Sequence, residues 1–142
     1  MKRSAAAVWE GGIKDGNGTI SAESAVIADT PYSFDNRFQK REGTSPEELL
    51  AAAHASCYSM ALSLVLGEHD LTPERIDTTA TVTVEPDDGG FTITTVHLDV
   101  QAKVPGADPE VFTAAANGAK DGCPVSKLFQ GATITLESHL TN

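Results

Sequence analysis

The chain has 142 residues and carries a formal charge of −10, with 20 acidic side chains against 10 Lys/Arg. No cluster of Lys/Arg offsets this excess, so nucleic acid and anionic membrane surfaces are excluded as partners. The length supports a core without disulfide or metal staples, and with 19 Ala against 8 aromatic residues that core is made of small pieces suited to close-packed helices.

Met1 to Ala7 has two positive charges but meets Glu10 and two glycines before any apolar run, so no signal peptide is read there. Two cysteines without an export signal point to a reducing compartment, and the cytoplasm is the expected location. No repeat or linker interrupts the sequence, which predicts a single domain over residues 1–142.

In chain order, Ala7-Val8-Trp9 and Gly18-Thr19-Ile20-Ser21 flank Lys14-Asp15-Gly16-Asn17-Gly18, a turn cluster that predicts a hairpin. A further short strand ends within Tyr32 to Phe38. Thr44-Ser45-Pro46-Glu47-Glu48 then announces a helix: Ser45 caps, Pro46 suits the first helical position, and Glu48 completes a capping box. Leu49 to Leu66 contains no formal charge and Gly67 offers a stop. The helix is therefore about 22 residues and about 33 Å long. That length suffices for a membrane span, but His54, Ser56, Ser59 and Ser63 dilute the run and its flanks are acidic, so a central buried helix is expected.

Ile76 to Glu85 alternates as a strand, with Ala80, Val82 and Val84 on one face and Thr79, Thr81 and Thr83 on the other. After a turn at Asp87 to Gly90, Phe91 and Ile93 fall on one parity but Val96, Leu98, Val100 and Ala102 on the other, which predicts a β-bulge near Thr94-Thr95. Asp108-Pro109-Glu110 opens a second helix through Lys120, Cys123-Pro124 starts a short third one, and Ala132 to Leu140 alternates as a final strand. The order is that of an α+β domain. A long helix apolar around its whole circumference needs more cover than one such chain supplies. Ala51-Ala52-Ala53 and Ala55 would let a second copy approach, which predicts a symmetric homodimer.

Cys57 lies mid-helix among apolar neighbours, and its ordinary reading is a small buried hydrophobe. Burial raises a thiol's pKa, so reactivity needs a cation nearby. His54 lies one turn earlier, and Arg37, followed by Lys40 and Arg41, precedes the helix. Cys123 sits at the start of a short helix, where backbone N–H groups favour a thiolate; an ordinary buried cap is the competing reading. Glu48 has the capping role, which leaves Glu47 without a local task. Ten residues separate Glu47 from Cys57, about 15 Å of helix rise, so the two cannot touch within one helix. If they serve one site, an Arg spans the gap or Glu47 comes from a partner chain. The scattered His69, His97 and His139 and the two cysteines match no zinc spacing, and no phosphate loop, G-x-S-x-G elbow or H-E-x-x-H motif is present.

Asn36-Arg37-Phe38, the run from Gly43 to Leu62, the block Gly122-Cys123-Pro124-Val125-Ser126 and the strand Ile76 to Ala80 together resemble the OsmC/Ohr family, the osmotically inducible protein C and organic hydroperoxide resistance proteins. The resemblance runs nearly end to end, and it is closer to the OsmC branch because Arg37 sits just before the helix. It implies antiparallel sheets around a long central buried helix in an intertwined homodimer. It further implies a thiol peroxidase without cofactor or metal that reduces organic hydroperoxides, and hydrogen peroxide less well. By matching position, Cys57 is the peroxidatic thiol, Cys123 the resolving thiol, and Arg37 with Glu47 the activating pair. Cys57 passes through a sulfenic acid, Cys123 condenses with it, and an outside dithiol, which the family suggests is of lipoyl type, reduces the disulfide. Met60, Phe38, Tyr58 and Leu128 are expected to line an apolar pocket. Two other readings compete: Cys57 with His54 as nucleophile and base for acyl transfer, and a non-enzymatic redox sensor or apolar-ligand carrier using the same cysteines.

Overall fold

The computed structural model describes residues 1–39 and 42–141, so Lys40 and Arg41, the cations following Arg37, lie outside the described residues together with Asn142. The chain forms two compact units, Met1–Leu49 and Leu50–Asn142.

In the first unit, β1 (Ala5–Glu10), β2 (Asn17–Ala22) and β3 (Thr30–Tyr32) make an antiparallel sheet in the order β1-β2-β3. Gly18 pairs with Trp9 on one side and Tyr32 on the other. A Cβ at Gly18 would stand 2.1 Å from the Val8 carbonyl oxygen and 2.6 Å from the Tyr32 ring, so glycine is what lets the Trp9 and Tyr32 rings approach to 5.5 Å. The third strand ends at Tyr32, at the near edge of the expected range, and a 3-10 turn over Asp35–Arg37 follows. Gly43, at φ +110°, then lets the Thr44 N–H donate to the Pro31 carbonyl at 2.9 Å.

Helix α1 (Pro46–Gly67) begins as its sequence predicts, with Ser45 Oγ accepting from the Glu48 N–H at 3.2 Å. Only half of the expected capping box forms in this shape. The Glu48 carboxylate turns to the Thr44 hydroxyl, 3.0 Å away, a charge-assisted bond that a neighbouring side-chain donor makes available. The end of α1 also differs from expectation. Gly67 stays helical, and Asp70, at φ 56°, takes the left-handed position. Leu71 N–H then reaches Leu66 O at 3.0 Å and Asp70 N–H reaches Gly67 O at 3.1 Å, the two bonds of a Schellman ending.

In the second unit, β4 (Arg75–Asp87) and β5 (Gly90–Lys103) pair antiparallel, and β6 (Thr133–Thr141) adds to β5. The register shifts where Thr83 faces Thr95 and Val84 faces Ile93, leaving Thr94 unpaired. This is the bulge that the change of parity predicts. The β5–β6 pair is parallel, an exception to the expected antiparallel sheets. It arises because helices α2 (Pro109–Gly122) and α3 (Pro124–Leu128) lie between the two strands and carry the chain back to its starting end. Asp108 caps α2, accepting from the Glu110 N–H at 2.8 Å.

The core of this unit lies between α1, α2 and the sheet. His54, Tyr58, Leu62 and Leu66 recur every four residues as the buried stripe of α1. Tyr58, Leu62 and Leu66 meet Leu98, Val100 and Ala102 of β5 and Phe112, Ala115, Ala116 and Ala119 of α2. The three buried alanines of α2 allow the close approach that the composition favours. Tyr58 Oη donates to Ala116 O at 3.1 Å, and the Ser59 and Thr78 hydroxyls bond at 2.8 Å, so α1 is tied to both a helix and a strand. By length and composition α1 passes for a membrane span, as core helices do. Its opposite face, with Met60 and Leu64, stays exposed in the single chain.

Candidate functional site

The two cysteines meet in the second unit. Cys57 is on α1, half-buried, and Cys123 is wholly buried where α2 ends and α3 begins; both are free thiols. The two thiols are neighbours, close enough for Cys123 to perturb Cys57, and Gly122 and Pro124 on either side of Cys123 line one cavity with Cys57. Cys123 takes the cap position expected of it, because Pro124 cannot continue α2 but suits the first position of a new helix. Its thiol makes no capping bond.

Burial pushes the Cys57 thiol above its ordinary range, and the neighbouring Cys123 thiol pushes the same way. The nearby backbone amide of Val125 opposes them. The α3 amide thus acts on the other cysteine, an influence with no signal in the sequence. Tyr58 is also pushed upward, by burial first and then by the neighbouring Cys123, so its hydroxyl remains a donor.

A cavity of about 400 Å³ opens beside Cys57, lined by Met60, Ala61, Leu64, Val65 and the α2 residues Gly118 and Ala119 among others. Met60 is where the sequence reading expects it. Tyr58 is not, because one residue further round the helix turns its side chain into the core. Leu128 lines a different cavity, with Leu50, Val82 and Phe129. Phe38 packs edge-on against Phe34 in the first unit.

His54 does not serve Cys57 as a base. Its Nε2 shares a 2.8 Å hydrogen bond with Ser126 Oγ, and its Nδ1 is buried without a partner. The spacing that brings it one turn from Cys57 also puts it on the buried stripe, facing α3. Burial lowers its pKa, which keeps the ring neutral. This arrangement removes the Cys57–His54 acyl-transfer reading.

Arg37 and Glu47 meet in the first unit. Arg37 ends the 3-10 turn and Glu47 stands in the first turn of α1, with Arg37 Nη2 at 3.1 Å from Glu47 Oε1. The Glu47 side chain is 13 % exposed, and its Oε2 is buried with no partner. Glu47, which the capping pattern leaves without a local partner, is thus paired with Arg37. Arg37 also lines a cavity with Trp9, Ile13, Tyr32 and Phe34. Among the described residues no three His, Cys, Asp or Glu side chains converge on a metal site.

The family model described as OsmC-like protein matches residues 39–137. The chain belongs to the OsmC-like protein family. This OsmC-like chain is 52% identical over 132 residues to Peroxiredoxin OsmC of Escherichia coli (strain K12), covering 93% of this chain and 92% of that one. It is 30% identical over 115 residues to the organic hydroperoxide resistance protein OhrB of Bacillus subtilis (strain 168), covering 80% and 82%. The crystal structure of an OsmC-like protein from Mycoplasma pneumoniae superposes with a TM-score of 0.78 over 100% of this chain and 99% of that one, at 17% identity, and so shares the fold. The OsmC-like chain is an α+β protein and a cysteine-based peroxidase.

Proposed function

We propose that the chain reduces organic hydroperoxides to alcohols, and hydrogen peroxide less well, working as one domain over residues 1–142 in a cytoplasmic homodimer. The observation that carries this reading is the proximity of two thiols far apart in sequence: Cys123 perturbs Cys57, and its neighbours Gly122 and Pro124 line the same cavity as Cys57. The apolar cavity beside Cys57 and the relatives named for organic hydroperoxide resistance support an alkyl substrate. The uncovered apolar face of α1 supports a second copy.

The Cys57 thiolate attacks one peroxide oxygen. The O–O bond breaks, the alkoxide takes a proton and leaves as alcohol, and Cys57 becomes a sulfenic acid. The Cys123 sulfur then forms the S–S bond as water departs, and an external dithiol, of lipoyl type by family resemblance, reduces the disulfide by exchange and is itself oxidised. Because burial and Cys123 both disfavour a Cys57 thiolate, the first step needs a cation. Arg37 supplies it, with Glu47 fixing the orientation of the guanidinium fork.

Consumption of cumene hydroperoxide in the presence of a dithiol tests the reading. The chain turns over many equivalents, Cys57→Ser none, and Cys123→Ser is oxidised once and then over-oxidised at Cys57. Arg37→Met raises the pH midpoint of Cys57 alkylation. Consumption that stops at one equivalent favours a sensor, and an unmoved midpoint removes Arg37 from the activation.

A further inference from the structure

His54 is a wholly buried imidazole with a single hydrogen bond and an orphaned Nδ1. A buried polar group so poorly satisfied gains little stability over an apolar side chain of similar volume. Its partners, however, are both on α3. Nε2 meets Ser126, itself buried, and the ring packs edge-on against Phe129 with centroids 5.3 Å apart. Ser126 lies inside α3 and Phe129 caps its end, so one side chain grips the segment at two points.

With only 5 residues and no side-chain capping bond at its start, α3 has little intrinsic stability. It nevertheless carries the two groups that act on Cys57: Cys123 is its N-cap and Val125 lies in its first turn, and Pro124 between them lines the cavity beside Cys57. On α1, His54 precedes Cys57 by one turn and Tyr58 follows it, and Tyr58 is bonded to α2 at Ala116. Two buried hydrogen bonds thus bracket Cys57 on one side and Cys123 on the other.

We propose that the His54–Ser126 hydrogen bond positions α3 for disulfide closure, holding Cys123 and Val125 N–H against Cys57. The proposal rests on the two-cysteine cycle above and deepens its second step. Neither residue lines the cavity beside Cys57, so both are positioning residues. Closure must bring the two sulfurs together to about 2.05 Å. It is therefore more sensitive to a shift of α3 than the attack of Cys57 on a diffusible peroxide.

The test is a single-turnover oxidation with one equivalent of cumene hydroperoxide. Quenched samples give the rate at which the Cys57 thiol is lost and, separately, the rate of disulfide formation by intact mass. In Ser126→Ala and in His54→Leu, closure slows by about tenfold or more while the first oxidation stays within about threefold, as expected for loss of alignment between reacting groups. Sulfinic acid on Cys57 accumulates as peroxide is raised, and Ser126→Thr, which restores the hydroxyl, restores closure. Closure at the parent rate in both variants, equal slowing of both steps, or failure of both variants to fold overturns the proposal, since each leaves a purely structural role. If the unmutated chain itself forms no Cys57–Cys123 disulfide, it is the two-cysteine reading that fails.

Discussion

Leu62 and Leu64 lie two residues apart on α1 and report on its two faces. Leu62 is wholly buried against β5 and α2, whereas Leu64 is 69 % exposed in the single chain. Leu62→Ala removes a packed side chain and leaves a cavity, costing about 3–5 kcal/mol. For Leu64→Ala the two arrangements of the chain give different values. In a lone chain roughly two-thirds of the side chain is already in water, so the loss is under about 1 kcal/mol. If a second copy covers the face, the loss rises to about 2–3 kcal/mol. The assay is urea unfolding of the parent and both variants at protein concentrations spanning about a hundredfold. A folded dimer in equilibrium with unfolded chains gains about 1.4 kcal/mol per tenfold in concentration, so the parent midpoint rises with concentration and Leu64→Ala lowers it throughout. A Leu64→Ala cost below about 0.5 kcal/mol together with a concentration-independent midpoint would refute the argument that the open face of α1 is an interface.

Three further outcomes follow from local geometry. Gly43 sits at φ +110°, and a Cβ added there would stand 2.2 Å from the Pro31 carbonyl oxygen; Gly43→Ala therefore costs about 2–4 kcal/mol in thermal melts, and a loss below about 1 kcal/mol contradicts the strain. Asp70→Gly relieves the left-handed backbone at the end of α1 and stabilises by about 0.3–1 kcal/mol in urea unfolding, and an unchanged or lowered stability contradicts the strain. His54, with its pKa lowered by burial, contributes stability that is present above its ordinary value of 6.5 and is lost as pH falls through the folded value. Unfolding free energy measured between pH 8 and about 4 declines on acidification, and His54→Gln flattens that decline; an unchanged slope means that His54 is not the titrating group.

The local elements were legible because their signals are local. Ser45-Pro46 and Asp108-Pro109 mark helix starts, and the parity change in Phe91 to Ala102 places the bulge at Thr94. Glu47 stands out by subtraction, since the capping pattern assigns Glu48 to the cap and leaves Glu47 over, and Glu47 pairs with Arg37. What the sequence hid are relations between distant segments. α1 is apolar all round, so its composition does not mark the stripe His54, Tyr58, Leu62 and Leu66 as the buried one. That choice turned Tyr58 away from the cavity and His54 away from Cys57. The parallel β5–β6 pairing depends on where α2 and α3 return the chain. The influence of Val125 on Cys57 is exerted by backbone, which no residue type announces. The Schellman end at Asp70 escaped for a related reason, because Gly67 carried the expected stop residue three positions early.

The measurement closest to the central claim is non-reducing peptide mapping after one equivalent of cumene hydroperoxide is added to the reduced chain. The account predicts a cross-linked peptide joining Cys57 to Cys123 within one chain, formed in step with an equal amount of the alcohol. Oxygen adducts on separate, unlinked cysteine peptides, or cross-links between chains alone, would contradict it.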